Sequence, residues 1–208
     1  MEQRTEEWYL ARLGRVTASR IADVVARTRS GWGASRANYM AELIAERLTG
    51  QPAASYTNAA MQWGIEHEDD AIAAYEFEKG VEVERVGFIL HPRIEMSGAS
   101  PDGRVGYAGL IEIKCPNTAT HIETLLTRAI PDKYIKQMQW QMACDNRQWC
   151  DFVSYDPRLP GDLAIFICRV ARDDNLIKPL ESDVTDFLQE MDTKLELLQK
   201  LRIADKVA

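Results

Sequence analysis

The sequence predicts an α/β fold in which a mixed central β-sheet is flanked by helices. Two observations support this prediction. Segments with helical periodicity precede and follow a group of short apolar strands, and Gly or Pro residues separate one segment from the next. With 208 residues, 46% of them hydrophobic, the chain can bury one substantial core but is short for two. We therefore expect residues 1–208 to form a single domain.

Helices dominate the predicted N-terminal half. They are expected at 6–13, at 17–25 with Thr17 or Ser19 as the cap, at 35–48, and from about Asn58 to Phe77 with Gly80 closing the last one. In the fourth helix Glu68 lies beside an apolar stripe, whereas Glu66, Asp69 and Asp70 do not. Glu68 is therefore expected to point inward while the other three carboxylates face water.

Strands and helices alternate in the second half of the chain. Strands are predicted at 81–85, 87–91, 94–99 and 110–115, helices at 118–128 and 132–145, strands at 149–155 and 163–170, and a closing amphipathic helix at 180–201. In the sixth helix Gln137 and Gln141 lie one turn apart. Such amides can hold a water or a phosphate, although isolated glutamines on a helix are more often solvent-exposed.

The segment from Gly98 to Cys115 carries the clearest chemical signal. Asp102 lies in a Ser-Pro-Asp-Gly turn, and the following strand places Glu112 and Lys114 on one face and Ile111 and Ile113 on the other. Two carboxylates and a strand carbonyl are hard oxygen ligands of the kind that Mg²⁺ prefers. A lysine there can orient or deprotonate a water, or neutralise charge on a phosphoryl oxygen. The alternative, an exposed Glu-Lys ion pair on an edge strand, is the commoner situation for an isolated Glu-x-Lys.

Charge is distributed unevenly along the chain. The formal net charge of −7 argues against a nucleic-acid partner, but the local distribution matters more than the sum. Between positions 12 and 36 a single acid, Asp23, accompanies six arginines: Arg12, Arg15, Arg20, Arg27, Arg29 and Arg36. This segment predicts a local cationic surface, and its loop at 27–33 suits either a terminal phosphate or plain solvation.

Other features exclude several classes of protein. No apolar run is long enough to span a membrane, and the acidic N-terminus does not resemble a secretion signal, so we expect a soluble intracellular protein. The cysteines lack Cys-x-x-Cys spacing and the three histidines are scattered, which favours reduced buried thiols over zinc ligands or disulfides.

The spacing of Pro101-Asp102 and Glu112-Ile113-Lys114 resembles the core motif of the PD-(D/E)xK nuclease superfamily. More of the chain resembles the phage lambda exonuclease family, the YqaJ-type viral recombinase nucleases. The similar blocks occur in family order at 13–19, 63–68, 100–103, 112–116, 137–139 and 155–158.

This resemblance implies a restriction-endonuclease-like core and an Mg²⁺-dependent 5′-to-3′ exonuclease on linear double-stranded DNA. Such an enzyme uses two metal ions, for which Mn²⁺ can substitute, releases 5′ mononucleotides and leaves a 3′ overhang for a single-strand annealing protein. The resemblance also implies a homotrimeric ring around DNA and a phage or prophage gene expressed in the bacterial cytoplasm. A restriction-type endonuclease with the same core remains an alternative, as does a catalytically inactive DNA-binding protein, although the intact Asp102, Glu112 and Lys114 argue against the latter.

The resemblance also assigns roles to particular residues. Asp102, Glu112 and the Ile113 carbonyl match the metal ligands, and Glu68 matches the acid that supports a second metal. Lys114 matches the catalytic lysine and Gln137 the active-site glutamine. Arg12, Ser19 and Arg29 match the residues of the 5′-phosphate pocket. Met61 matches the position of the wedge between the DNA strands.

Overall fold

A computed structural model describes residues 1–52 and 59–207. The helices in these residues are α1 (Glu6–Arg12), α2 (Ile21–Val24), α3 (Ala34–Thr49), α4 (Ala59–Lys79), α5 (Thr118–Thr127), α6 (Asp132–Asp145) and α7 (Asp174–Val207). The strands are β1 (Val16–Thr17), β2 (Arg27–Thr28), β3 (Gly31–Trp32), β4 (Val83–Glu84), β5 (Ile89–Leu90), β6 (Ser97–Ala99), β7 (Gly103–Val105), β8 (Gly109–Lys114), β9 (Trp149–Tyr155) and β10 (Ile165–Ala171). None of these helices is both long enough and apolar enough to cross a membrane.

The central sheet has five strands in the order β10-β9-β8-β7-β4. Strand β8 lies in the middle, parallel to β9 and antiparallel to β7, so the sheet is mixed. The predicted fold class is confirmed in this respect. Because β8 is the central strand, its first three residues are held on both edges and the rest are held by β9.

Helices cover both faces of this sheet. Ile111 and Ile113 pack against Tyr75 of α4, whereas Leu110 packs on the opposite face with Met138 of α6. This follows from the two-residue period of a strand, which sends alternate side chains to opposite faces. The face of β8 that carries Glu112 is therefore covered by α6, and the strand is buried from Gly109 to Ile113 and partly exposed at Lys114.

A second core connects the N-terminal helices to α7. Val16, Tyr39 and Phe187 are buried there, with the rings of Tyr39 and Phe187 stacked 5.9 Å apart. The three-stranded sheet β1-β6-β5 borders this core, and Trp140 of α6 donates a hydrogen bond to Ser97 Oγ in β6 at 3.1 Å. Strand β6 is thus fixed to this core and to α6 immediately before the chain reaches Asp102.

Several predicted boundaries differ from the structure. The strands predicted at 81–85, 87–91 and 94–99 are shorter and belong to two different sheets, and β7 was not predicted. Thr17 forms no side-chain cap, since it pairs in β1. The closing helix begins at Asp174 and runs through Pro179, which the sequence alone marks as a helix breaker. The predicted start of α4 at Asn58 lies outside the described residues; its end is followed by Gly80 with a φ of 63°, as expected for a glycine cap.

Candidate active site

Asp102 lies where β7 stops pairing with β8. The two strands pair only from Gly109 to Ile111, and beyond that point the Asp102 carboxylate replaces the missing strand. Asp102 N donates to Ile111 O at 3.2 Å, and Ile113 N donates to Asp102 Oδ2 at 2.6 Å. Because the N–H and C=O of one strand residue point to the same side, the Ile113 carbonyl faces this same unpaired edge. Asp102 and the Ile113 carbonyl are therefore brought to one place, as the resemblance implied.

Gly103 permits this arrangement through close packing. A Cβ at this position would lie 2.2 Å from Val83 Cγ1, which is far inside contact distance. Gly103 is not among the glycines with positive φ, so the turn conformation expected from the Pro-Asp-Gly sequence is not its reason for being glycine. Here glycine lets β4 approach the strand that positions Asp102.

Glu112 is a buried carboxylate with a full set of donors. Its side chain is only 1% exposed. Gln137 Nε2 donates to Oε1 at 2.7 Å, Gln141 Nε2 donates to Oε2 at 2.5 Å, and the Lys114 ammonium contacts Oε1. A buried charge is tolerated when it is paired and hydrogen-bonded in this way. Neither glutamine is a surface residue, and both amides are directed at Glu112.

The site favours a bound cation. Burial and the negative charge of Glu112 raise the pKa of Asp102 well above its ordinary value, and Glu68 adds to the effect. A cation bound next to Asp102 would offset the effect of the neighbouring carboxylates on it. Burial opposes the charged form of Lys114, but Glu112 and Asp102 outweigh it and raise the pKa of the ammonium. Lys114 therefore stays protonated in this arrangement, which suits neutralisation of charge better than removal of a proton.

Glu68 faces inward as predicted, but arginines hold it. Its side chain is 18% exposed, whereas those of Asp69 and Asp70 are largely exposed. One carboxylate oxygen contacts Arg4 and the other accepts from Arg85 Nη1 at 3.0 Å. In residues 1–52 and 59–207, no group of three His, Cys, Asp or Glu side chains is placed to hold a metal ion. Asp102, Glu112 and the Ile113 carbonyl offer oxygen donors of the kind that Mg²⁺ prefers, whereas Glu68 is held by its arginines.

Arg12 approaches the site through Ser100. The Arg12 guanidinium lies over the Trp8 ring, 4.0 Å from its centroid, and both side chains donate to Ser100 Oγ, Trp8 at 2.9 Å and Arg12 at 3.3 Å. Ser100 precedes Asp102 by two residues, so these contacts fix Arg12 against the segment that carries Asp102. Trp8 and Ser100 were not predicted to contribute to the site. For Ser100 the signal was its position next to Pro101-Asp102; Trp8 carried no such signal.

The remaining predicted DNA-binding residues are not assembled with Arg12. Ser19 is exposed and its hydroxyl lies 3.4 Å from Thr17 Oγ1, while Arg29 is exposed at the tip of the β2–β3 hairpin. In the described part of the chain, no hydrogen bond links either residue to Arg12. Met61 is exposed in the first turn of α4, as a wedge residue requires.

The predicted cationic surface is smaller than the sequence suggested. Three of its arginines are paired with acids that are mostly distant in sequence, namely Arg20 with Asp23 and Glu42, Arg27 with Asp183, and Arg36 with Glu190. Among the residues that the structure describes, Arg12, Arg15 and Arg29 form no ion pair. The cationic character of this region therefore depends on these three.

A family model described as the YqaJ-like viral recombinase domain matches residues 7–148. This range covers more than half of the chain and includes every residue assigned above to the site. The chain belongs to this family. A search of curated proteins finds no match.

Solved structures agree with this assignment. An alkaline exonuclease from Laribacter hongkongensis, LHK-Exo, is 57% identical with a TM-score of 0.90, and the match covers 98% of this chain and 100% of that one. The structure of LHK-Exo in complex with dAMP matches with the same values. A phage-related exonuclease from Haemophilus somnus 129PT is 17% identical, with a TM-score of 0.74 over 88% of this chain and 96% of that one, and supports the fold alone.

Proposed function

We propose that this member of the YqaJ-like family is an Mg²⁺-dependent exonuclease that degrades linear double-stranded DNA from its 5′ ends. It would release 5′ mononucleotides and leave a 3′ single-stranded overhang. The observation that carries the proposal is the convergence of Asp102, Glu112 and Lys114 at the open end of β8, with Arg12 hydrogen-bonded to Ser100 two residues before Asp102. The 57% identity to an alkaline exonuclease supports the same reaction class.

The metal would be held by Asp102, Glu112 and the Ile113 carbonyl. When bound, Mg²⁺ supplies a nucleophilic water of lowered pKa and polarises a phosphoryl oxygen, and Mn²⁺ can supply the same chemistry. Glu112 is oriented by its amide donors, and Lys114 offers a positive charge to the phosphate. A second ion at Glu68 would require that carboxylate to leave Arg4 and Arg85.

The 5′ end would be recognised on the N-terminal side of the site. Arg12 is positioned by Trp8 and Ser100, and we assign it the terminal phosphate together with Ser19 and Arg29. Since Ser19 and Arg29 are exposed and Arg29 has no acid partner among the described residues, both are accessible to a phosphate. Met61 would separate the strands ahead of the site.

One assay decides between this function and an endonuclease. End-labelled linear duplex and covalently closed circles of the same sequence are incubated with the protein, with and without Mg²⁺. We expect Mg²⁺-dependent release of mononucleotides from the linear substrate and survival of the circles. Digestion of both substrates at similar rates would instead favour the endonuclease, and DNA binding without cleavage would favour an inactive protein.

We also propose that the protein works as a homotrimeric ring, delivering its 3′ overhang to a single-strand annealing protein in a bacterial host. An acidic subunit with few unpaired arginines holds DNA weakly, because phosphate contacts weaken steeply with salt. A closed ring prevents release by topology and needs only one repeated head-to-tail interface.

Sedimentation at micromolar concentration is expected to give a species of three times the 23.6 kDa subunit mass. Processive digestion by a protein that sediments only as a monomer would contradict the ring. In such a ring Arg27 and Arg36 would contribute little positive charge to the inner wall, because each pairs with an acid of α7.

A further inference from the structure

We propose that Gln141 is a second positioning residue for Glu112, and that the buried thiol of Cys150 supports the oxygen end of its amide. This inference rests on the proposed function, since it concerns a carboxylate assigned to the metal. It adds a residue that the family resemblance did not assign, because that resemblance implied a single glutamine, Gln137.

The two glutamines divide the Glu112 carboxylate between them. Gln137 Nε2 lies 2.7 Å from Oε1, and Gln141 Nε2 lies 2.5 Å from Oε2. They are one turn apart on α6, so a single rigid helix presents both donors to the strand. With a donor on each oxygen the carboxylate cannot rotate without breaking at least one hydrogen bond. Gln141 thus fixes the plane of the Glu112 carboxylate. Gln137 and Lys114 contact only Oε1, so by themselves they would leave the carboxylate free to turn about that oxygen.

The thiol of Cys150 lies at the oxygen end of the Gln141 amide. The side chain of Gln141 is fully buried, and its Oε1 lies 3.9 Å from Cys150 Sγ. Cys150 lies opposite Leu110 in the parallel register of β8 and β9, so its thiol shares the α6-facing side of the sheet with Glu112. A thiol is a weak donor and a carboxylate is only an acceptor. The amide therefore satisfies both neighbours with its oxygen toward Cys150 and its NH₂ group toward Glu112.

Loss of Gln141 should weaken metal binding more than it weakens the fold. Without this amide, Oε2 of Glu112 is left buried without the donor that Gln141 supplies, and the carboxylate is free to leave its orientation. Residues that orient a metal ligand typically contribute roughly 10- to 100-fold to affinity. We expect the lower end of this range, because Gln137 and Lys114 still hold the other oxygen.

Gln139 provides a matched control on the same helix. It is also a buried glutamine, 1% exposed, but its Nε2 donates to Ala171 O at 2.8 Å and its Oε1 accepts from Asp173 N at 2.9 Å. Gln141→Met and Gln139→Met therefore remove equally buried amides, of which only one touches Glu112.

The test is Mg²⁺ titration by isothermal calorimetry in the absence of DNA, on variants whose folding is checked by circular dichroism. Gln141→Met is expected to bind Mg²⁺ about tenfold more weakly than wild type, and Gln139→Met to bind as wild type does. Should Gln141→Met fail to fold, Gln141→Asn keeps an amide that is one methylene too short to reach Glu112. Cys150→Ala is expected to weaken binding less than Gln141→Met but more than Cys144→Ala. The Cys144 thiol is also buried, but it packs in the N-terminal core rather than beside Gln141 Oε1.

Equal Mg²⁺ affinity of the Gln141 and Gln139 variants would overturn the inference while leaving the proposed metal site intact. Equal affinity of the two cysteine variants would overturn the role of the thiol. If the wild-type protein bound no Mg²⁺, the proposed metal site would fail and the positioning role would fail with it.

Discussion

Asp102→Asn and Glu112→Gln are each expected to reduce cleavage of linear duplex DNA by on the order of a thousandfold. Both changes remove a negative charge that attracts the metal while retaining the shape of the side chain. Asn at 102 can still accept the hydrogen bond from Ile113 N, and Gln at 112 still fills the space beneath α6. The loss should therefore fall on chemistry, and DNA binding should persist.

Asp151→Asn is the matched control for these variants. Asp151 is also a buried carboxylate on the central sheet, but it accepts from Tyr75 at 2.8 Å and from Arg169 at 2.8 and 2.9 Å, away from Asp102. Rates are measured on end-labelled DNA below the melting temperature of every variant, with binding followed in Ca²⁺. Asp151→Asn should cleave within a few-fold of wild type. Robust Mg²⁺-dependent cleavage by Glu112→Gln would disprove the site assignment.

Linear duplex with 5′-phosphate ends is expected to be digested roughly 10- to 100-fold faster than the same duplex with 5′-hydroxyl ends. This range corresponds to one charge-assisted hydrogen bond of about 1.5–3 kcal/mol to the terminal phosphate. Arg29→Ala should remove much of the preference, because Arg29 is exposed at the tip of its hairpin and pairs with no acid in the described part of the chain.

Arg27→Ala separates this effect from a general loss of positive charge. Arg27 lies in the same hairpin, but it pairs with Asp183 at 3.1 Å and stacks on Trp32 at 3.9 Å. Its removal should leave the ratio of the two rates close to that of wild type. A ratio near one in the wild-type protein, or equal ratios in the two variants, would refute the phosphate role of Arg29.

Local periodicity was sufficient to predict the bounds of elements whose residues interact mainly with their neighbours in sequence. Helix α6 runs from Asp132 to Asp145 and β9 from Trp149 to Tyr155, which are the predicted bounds. The motif also identified Asp102, Glu112 and Lys114 as one group, because two of them share a strand face by period alone. Periodicity failed for β7, whose three residues form a strand only through pairing with β4 and β8.

The sequence by itself determined the α/β fold class, through the periodicity of its segments, and the shared strand face of Glu112 and Lys114. Helical spacing likewise predicted that Glu68 is less exposed than Asp69 and Asp70. Only the tertiary structure decided what surrounds them. The cover of α6 over Glu112, the clamp of Arg4 and Arg85 on Glu68, and the pairing of Arg27 and Arg36 with α7 all join residues that are distant in the chain. Such contacts depend on how the elements pack, and packing brings together groups whose order in sequence carries no sign of their proximity.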